Sequence, residues 1–278
     1  MHKPMRVRFV AAIFCLIACA AACETSAYGY TREIGQDARV SFGFDYKYMY
    51  PKSSEFRRDR YSFKNYVKAD SNAVGCSSWD IQTFAPGLEA RIEFLCTEKS
   101  CIGFELGYSL LPTQKLNKAV TVASVSRVDK SYKLSGHVFP VTFYYKVLVS
   151  RWSGLLGFGF DFYKAKVEYD ELDYLGRYAR GDFHDSRTGL HVKAGTEFFI
   201  TKSMSIGGGL VYNHAVLDGF EGGVQSNYLP SGHYLLIMKD EDMGPRVNFA
   251  GTTEGNRAFK LDMRGLVSSL SLRYYFGI

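Results

Sequence analysis

Ala38-Arg39-Val40-Ser41-Phe42-Gly43-Phe44-Asp45-Tyr46-Lys47-Tyr48 decides the fold. Every even position is apolar or aromatic, and every odd one is polar or Gly. A helix turning once in 3.6 residues would scatter these two sets around its surface; a strand places them on opposite faces. The pattern recurs downstream. In residues 84–95, Phe84, Pro86, Leu88, Ala90, Ile92 and Phe94 share one face, and Glu89, Arg91 and Glu93 the other. In residues 102–110, Ile102, Phe104, Leu106 and Tyr108 oppose Gly103, Glu105 and Gly107.

Five further segments read as strands: 138–149, 155–167, 190–200, 204–213 and about 259–276. Leu156, Phe158, Phe160 and Phe162 oppose Gly157, Gly159, Asp161 and Tyr163. Leu190, Val192, Ala194 and Phe198 oppose His191, Lys193, Gly195 and Glu197. In the last segment Leu266, Leu270, Leu272, Tyr274 and Phe276 oppose Val267, Ser269, Ser271 and Arg273, whereas Phe259, Leu261 and Met263 take the other parity. A bulge is therefore expected near Arg264-Gly265. Connections alternate in length. Residues 51–79, 111–133, 168–187 and 215–257 form long, polar ones, and 96–101, 150–153 and 201–203 short ones. This predicts an all-β chain, an eight-stranded antiparallel up-and-down transmembrane β-barrel, with all long loops and neither terminus at one end. A soluble sandwich would also alternate, but nearly every strand here carries a bulky apolar face, too much for one core between two sheets. Aromatics also gather toward strand ends, as membrane girdles do.

The N-terminus supports export. Lys3, Arg6 and Arg8 precede an apolar run over residues 9–22, the layout of a signal peptide. Residues 1–22 are the expected signal, with Ala20-Ala21-Ala22 as one cleavage site, Thr25-Ser26-Ala27 as a later one ending at 27, and a lipobox ending at Cys19 as a third reading. The barrel is then residues 28–278. Removing Lys3, Arg6 and Arg8 takes three charges from the formal +6 and leaves +3 if Glu24 is retained. The basic residues are interleaved with acids, so no nucleic-acid footprint is expected. Twenty Tyr, 21 Phe and 27 Gly suit close-packed strands. Cys96 and Cys101 flank a short turn and form a possible disulfide, leaving Cys76 without an evident partner.

The inward-facing set should line the lumen: Arg39, Asp45, Lys47, Glu89, Arg91, Glu93, Glu105, Asp161, Lys193, Glu197 and Arg273, with Lys146 beside them. Acids and bases are matched in number, which points to internal ion pairs. Eight strands leave a bore just wide enough for side chains to fill. No catalytic, cofactor or metal set is expected. His184-Asp185-Ser186 are adjacent in sequence and do not converge as a triad would. His191 reads as a lumen packing residue. Asp240, Asp242 and Gly244 resemble the start of a calcium loop, but Gly251 stands where its Glu would.

Four stretches resemble the OmpW group of small outer-membrane barrels and, more loosely, the OmpX type. They are Phe84-Ala85-Pro86-Gly87-Leu88-Glu89-Ala90 leading into Ile102-Gly103-Phe104-Glu105-Leu106; Val138-Phe139-Pro140-Val141-Thr142-Phe143-Tyr144-Tyr145; Gly154-Leu155-Leu156-Gly157-Phe158-Gly159-Phe160; and Ser271-Leu272-Arg273-Tyr274-Tyr275-Phe276. The chain departs from the pattern by ending on Gly277-Ile278 and in its long last loop. The resemblance implies an outer-membrane, porin-like conduit for a small solute or hydrophobic ligand. Its implied partners are outer-membrane lipid and the barrel-assembly machinery, which would read the aromatic terminal strand. The charged interior keeps a second reading open, a closed barrel whose long loops act as adhesin or surface antigen. A lipid-modifying barrel enzyme is the third.

Overall fold

The computed structural model describes residues 38–49, 73–97, 99–122, 126–238, 245–249 and 257–277. Every described element is a strand. In chain order they are β1 (Ala38–Tyr48), β2 (Ala73–Ile81), β3 (Phe84–Thr97), β4 (Ser100–Leu110), β5 (Gln114–Val122), β6 (Ser126–Val149), β7 (Trp152–Asp173) and β8 (Tyr178–Phe199). The remainder are β9 (Met204–His214), β10 (Val216–Leu217), β11 (Glu221–Ser226), β12 (His233–Met238), β13 (Pro245–Phe249), β14 (Arg257–Ala258), β15 (Leu261–Asp262) and β16 (Gly265–Gly277). The expected signal segment, residues 1–22 and on to 27, lies outside the described residues, as does the Asp240–Gly244 loop.

Eight strands close a ring. β1 pairs with β3, β3 with β4, β4 with β6, β6 with β7, β7 with β8, β8 with β9, β9 with β16, and β16 back with β1, all antiparallel. Closure gives each ring strand a partner on both sides, the condition for a sheet to cross a bilayer. The parity read from sequence holds around the ring. Phe42, Phe44, Leu88, Ile92, Leu106, Phe143, Phe158, Phe160, Leu190, Ile206, Leu270 and Leu272 all face out and are exposed. Asp45, Glu89, Arg91, Glu105, Asp161, Lys193, Glu197 and Arg273 face in and are buried. In water this would be an inverted protein; in hydrocarbon the outward band is the favourable solvent contact. Both ends of the ring chain, Ala38 and Gly277, lie at the short-turn end, since Ala38 pairs with Phe94 and Arg39 with Gly277.

Two sequence expectations need correction. Parts of the four long connections are sheet rather than loop. β6, β7 and β8 are 24, 22 and 22 residues long, about twice the 9–11 needed to cross. Beyond the barrel they continue as a protruding sheet, which β5 and β2 extend on one side and β11, β12 and β13 on the other. Nor is there a bulge inside one strand near Arg264-Gly265. The chain leaves β15 after Asp262 and starts β16 at Gly265, so the parity change falls between two strands. Phe259, Leu261 and Met263 accordingly point into the core.

That core lies at the mouth of the barrel. Met49, Val138, Tyr163 and Val267, from the top inward rungs of the wall, pack with Leu217, Phe220, Phe259, Leu261 and Met263 from the last long connection. Leu116, Tyr132, Val167, Phe183 and Tyr234 carry the same cluster up the inner face of the protruding sheet. At the other end Leu148, Phe199 and Tyr275 form a smaller cluster, with the Phe199 and Tyr275 rings 5.4 Å apart.

Candidate functional site

The lumen is the densest concentration of chemistry in the molecule. Each strand contributes alternate residues to it, so charges spaced by two in sequence stack along the bore while those on neighbouring strands meet across it. Arg91 stands at its centre and donates to both Glu105 and Glu197. Glu197 also accepts from Lys146 at 2.9 Å and from the Tyr275 hydroxyl at 2.6 Å. Lys146 reaches Glu93 at 2.8 Å, and Tyr144 donates to Glu93 at 3.1 Å. Arg273 donates to Glu89 at 2.5 Å and lies 3.5 Å from Glu197. Lys193 bridges Glu89 at 3.1 Å and Glu105 at 2.6 Å. Toward the mouth Lys47 pairs with Asp45 at 3.0 Å and donates to Ser109 at 2.7 Å. Thus ten of the eleven expected lumen residues lie buried in this column. Arg39 is the exception: it is half-buried at the short-turn end, its guanidinium 5.6 Å from the Tyr275 ring centre.

The sequence reading passed over several members. Tyr144, Tyr275 and Thr142 share the inward parity, but as aromatic or hydroxyl residues they do not announce a charged network. Parity alone was the signal that could have found them. His191 stands above the column, with Nδ1 2.9 Å from Asp161 and Nε2 3.0 Å from the Thr142 hydroxyl. Gly159 makes this possible, because a Cβ there would sit 2.8 Å from the imidazole. An acid, an imidazole and a hydroxyl in line have the outline of a nucleophilic triad. Here they face a cavity of about 30 Å³, room for little more than a water molecule, beneath the apolar cap. The three side chains come from the neighbouring strands β6, β7 and β8 on the inner face of the wall. Among the described residues no group of His, Cys, Asp or Glu could hold a metal. The Cys96 side chain lies outside the described residues, so the expected Cys96–Cys101 pairing falls there. Cys101 is buried in the short-turn end, and Cys76 is an exposed free thiol on β2.

The protruding sheet has the opposite chemistry. Its outward face carries Lys133–Glu168 at 3.2 Å, Lys166–Asp182 at 3.0 Å and Arg180–Asp170 at 3.2 Å. The hydrogen bond from Lys133 holds the Glu168 carboxyl below its ordinary range, and the hydrogen bond to Asp182 holds the Lys166 ammonium above its own. Two open clefts, about 440 and 500 Å³, run along this sheet, one from Cys76 and Lys118 to Arg180, the other from Lys115 to Gln225. At the summit the β7–β8 turn is rigidly built. Asp173 accepts the backbone N–H groups of Leu175 and Arg177, both at 2.9 Å, and the Arg177 guanidinium at 2.6 Å. Asn227 ties this turn to the end of β11, accepting from Tyr178 N–H and donating to the Gly176 carbonyl, each at 2.9 Å.

No curated protein matches the chain. Among solved structures, the attachment invasion locus protein Ail of Yersinia pestis is 10% identical, with 87% of this chain and 99% of Ail covered, at a TM-score of 0.38. OprG from Pseudomonas aeruginosa is 8% identical, with 91% of this chain and all of OprG covered, at 0.40. The outer-membrane protease OmpT from Escherichia coli is 10% identical, with 91% and 99% covered, at 0.25. The sequence profile of the outer membrane protein beta-barrel domain matches residues 15–229, most of the chain and all but one of the ring strands. With the closed eight-strand ring and its lipid-facing band, that match places this chain in the outer membrane and makes it a member of the outer membrane protein beta-barrel domain family.

Proposed function

We propose that this protein is a closed outer-membrane barrel whose work is done above the membrane, where the protruding sheet offers a surface for binding a macromolecule at the cell exterior. One observation carries the reading: the bore is filled. Its charged column is ion-paired along its length and capped by apolar clusters at both ends. A hydrated ion would have to displace paired charges, each of which is costly to leave alone. About 9–11 residues cross the membrane, whereas the residues of β6, β7 and β8 above the rung of Val138, Tyr163 and Arg187 go into the protruding sheet. Its open clefts are more than ten times larger than the lumen cavity. The test is current through a planar bilayer holding the refolded chain, with circular dichroism confirming strand content. Silence supports the closed reading. Discrete, reproducible steps that change on Glu89→Gln or Arg91→Gln would defeat it.

A conduit for a small hydrophobic ligand is the second reading, favoured by a flaw in the wall. The β4–β6 ladder runs from Ser100↔Val147 to Leu106↔Val141, then resumes at Ser109↔Val138. The skipped rungs are opposite Phe139 and Pro140, and Pro has no N–H to donate to a ladder. Pro140 also lines the small cavity. Under this reading Pro140→Val, which restores the donor, should slow uptake of a fluorescent apolar probe into cells. Unchanged uptake removes the wall route.

A further inference from the structure

Among the described residues, the exposed large apolar side chains fall into two groups. One is the outward band of the ring strands and their turns. The other is Leu172, Tyr174, Leu175, Tyr178 and Tyr228, at the summit of the protruding sheet. Leu172 pairs with Tyr178, nine residues along β7 from Tyr163, whose partner is Arg187. At about 3.3 Å per residue, about 30 Å of strand separates the summit from the membrane boundary. The second group therefore stands clear of the barrel's own bilayer, and an apolar patch kept in water calls for a partner. Its exposure is built into the turn. The Asp173 N–H donates to the Arg177 carbonyl at 2.9 Å, which leaves Tyr174-Leu175-Gly176 as a three-residue turn. Gly176, at φ 73°, takes the left-handed position that closes such a turn. Leu175 is left 61% exposed and Tyr174 51%. Beside them the Arg177 guanidinium lies 5.6 Å from the Tyr228 ring centre. All five ionic groups of residues 170–180 are paired within the protein: Asp173 with Arg177 at 2.6 Å, Asp170 with Arg180 at 3.2 Å and Glu171 with Lys130 at 3.3 Å.

We propose that this summit inserts into the surface of a second, zwitterionic bilayer facing the cell. The order of side chains along the hairpin names the occupant. Leu175, in the middle of the turn, suits hydrocarbon. Tyr174, Tyr178 and Tyr228 around it suit the headgroup boundary, where the ring and the hydroxyl each find their medium. The Asp170–Arg180 pair, one outward rung below Leu172 and Tyr178, stays in water. A bilayer entered end-on meets apolar, amphipathic and charged groups in that order. Interfacial binding to anionic lipid draws on free Lys or Arg. Here each cation of residues 170–180 already has a carboxylate, so the hairpin matches a surface without net charge. The rigid turn adds to this, because little side-chain and backbone freedom remains to be lost on insertion. The contact belongs to the summit and not to the clefts, and it holds whether or not the bore conducts.

The test uses the full chain refolded into nanodiscs and mixed with phosphatidylcholine vesicles. Co-flotation with the vesicles is measured against protein-free nanodiscs. The wild type should float above that background. Leu175→Ser should lower the partition coefficient about ten-fold, the scale set by burying one leucine side chain. Leu175→Phe should keep it, and Tyr174→Ser should lower it as well. Lys115→Gln, on the outward face of β5 lower on the sheet, should leave it unchanged. Replacing part of the phosphatidylcholine by phosphatidylserine should not strengthen it. Heat-modifiable migration on gels verifies that each variant is folded. Wild-type flotation at background, flotation unchanged in Leu175→Ser, or a rise with phosphatidylserine would each overturn the assignment. So would flotation seen only with vesicles made from cell membranes and lost when those vesicles are treated with protease, which would make the partner a protein.

Discussion

The lower and upper halves of β6, β7 and β8 are one ribbon in two solvents. Below the rung of Val138, Tyr163 and Arg187, outward residues such as Phe143, Phe158, Phe160 and Val192 are apolar, and inward ones such as Thr142, Asp161, His191 and Lys193 are polar. Above it the same parities exchange character. Inward Leu134, Val167, Tyr169 and Phe183 are apolar, and outward Lys133, Glu168 and Asp182 are charged. The backbone does not slip; what changes is the medium outside. In the membrane the wall faces lipid and the bore must take the charge, whereas above it water takes the charge and the sheet's inner face must take the apolar mass. The reversal falls at one height on three strands, so the sequence of each strand marks the membrane surface.

The largest expected effect of a substitution lies in the bore. Glu197→Leu removes a carboxylate shared by Arg91, Lys146 and Arg273. The variant should lose about 3–5 kcal/mol, the usual cost of leaving buried charge unpaired, read as urea unfolding in detergent. Phe183→Ala, in the upper core, should cost about 3–5 kcal/mol locally. Its expected signature is loss of amide protection in the protruding sheet with the barrel unaffected; loss in both halves would show that they fold as one unit. Phe160→Lys puts a charge on the lipid face and should cost about 2–4 kcal/mol. The equivalent charge at Val192 should behave alike, whereas Glu168→Lys, on the same outward face of β7 but above the boundary, should not prevent insertion into vesicles.

The smallest effect is the outward ion pair. Lys133→Gln should change stability by no more than about 1 kcal/mol, because both partners are well exposed. Its pH dependence has a definite sign. The folded-state carboxyl of Glu168 lies below its ordinary value because Lys133 donates to it. The pair's contribution is therefore present at neutral pH and above the unfolded carboxylate value. It fades as pH falls toward and through the lower folded value. Wild type and Lys133→Gln should converge in stability in acid; divergence there would contradict the assignment.

Much of this was legible in sequence because a barrel strand repeats every two residues. The eight ring strands, their short turns, the outward band and the inward charges follow from parity. The upper sheet was not legible for the same reason. A pattern reader stops a strand where the alternation of polarity fails, and at Lys164 and Ser186 it inverts without the strand ending. Residues 111–133 and 168–187 consequently read as solvated loops although β5, β6, β7 and β8 run through them. The Asp161–His191–Thr142 contact was out of reach too. It depends on Gly159 lying opposite His191 and Thr142, a register between strands that no single strand encodes.

If the reversal of polarity marks the membrane surface, β6, β7 and β8 run unbroken through it. Hydrogen exchange of the chain in nanodiscs, read by mass spectrometry, measures this directly. Slow exchange continuing from residues 138–149 into 128–137, from 152–163 into 164–172, and from 190–199 into 179–188 is the expected result. Fast exchange in all three upper segments, with protection kept below, would mean solvated loops on a short barrel and would contradict the account.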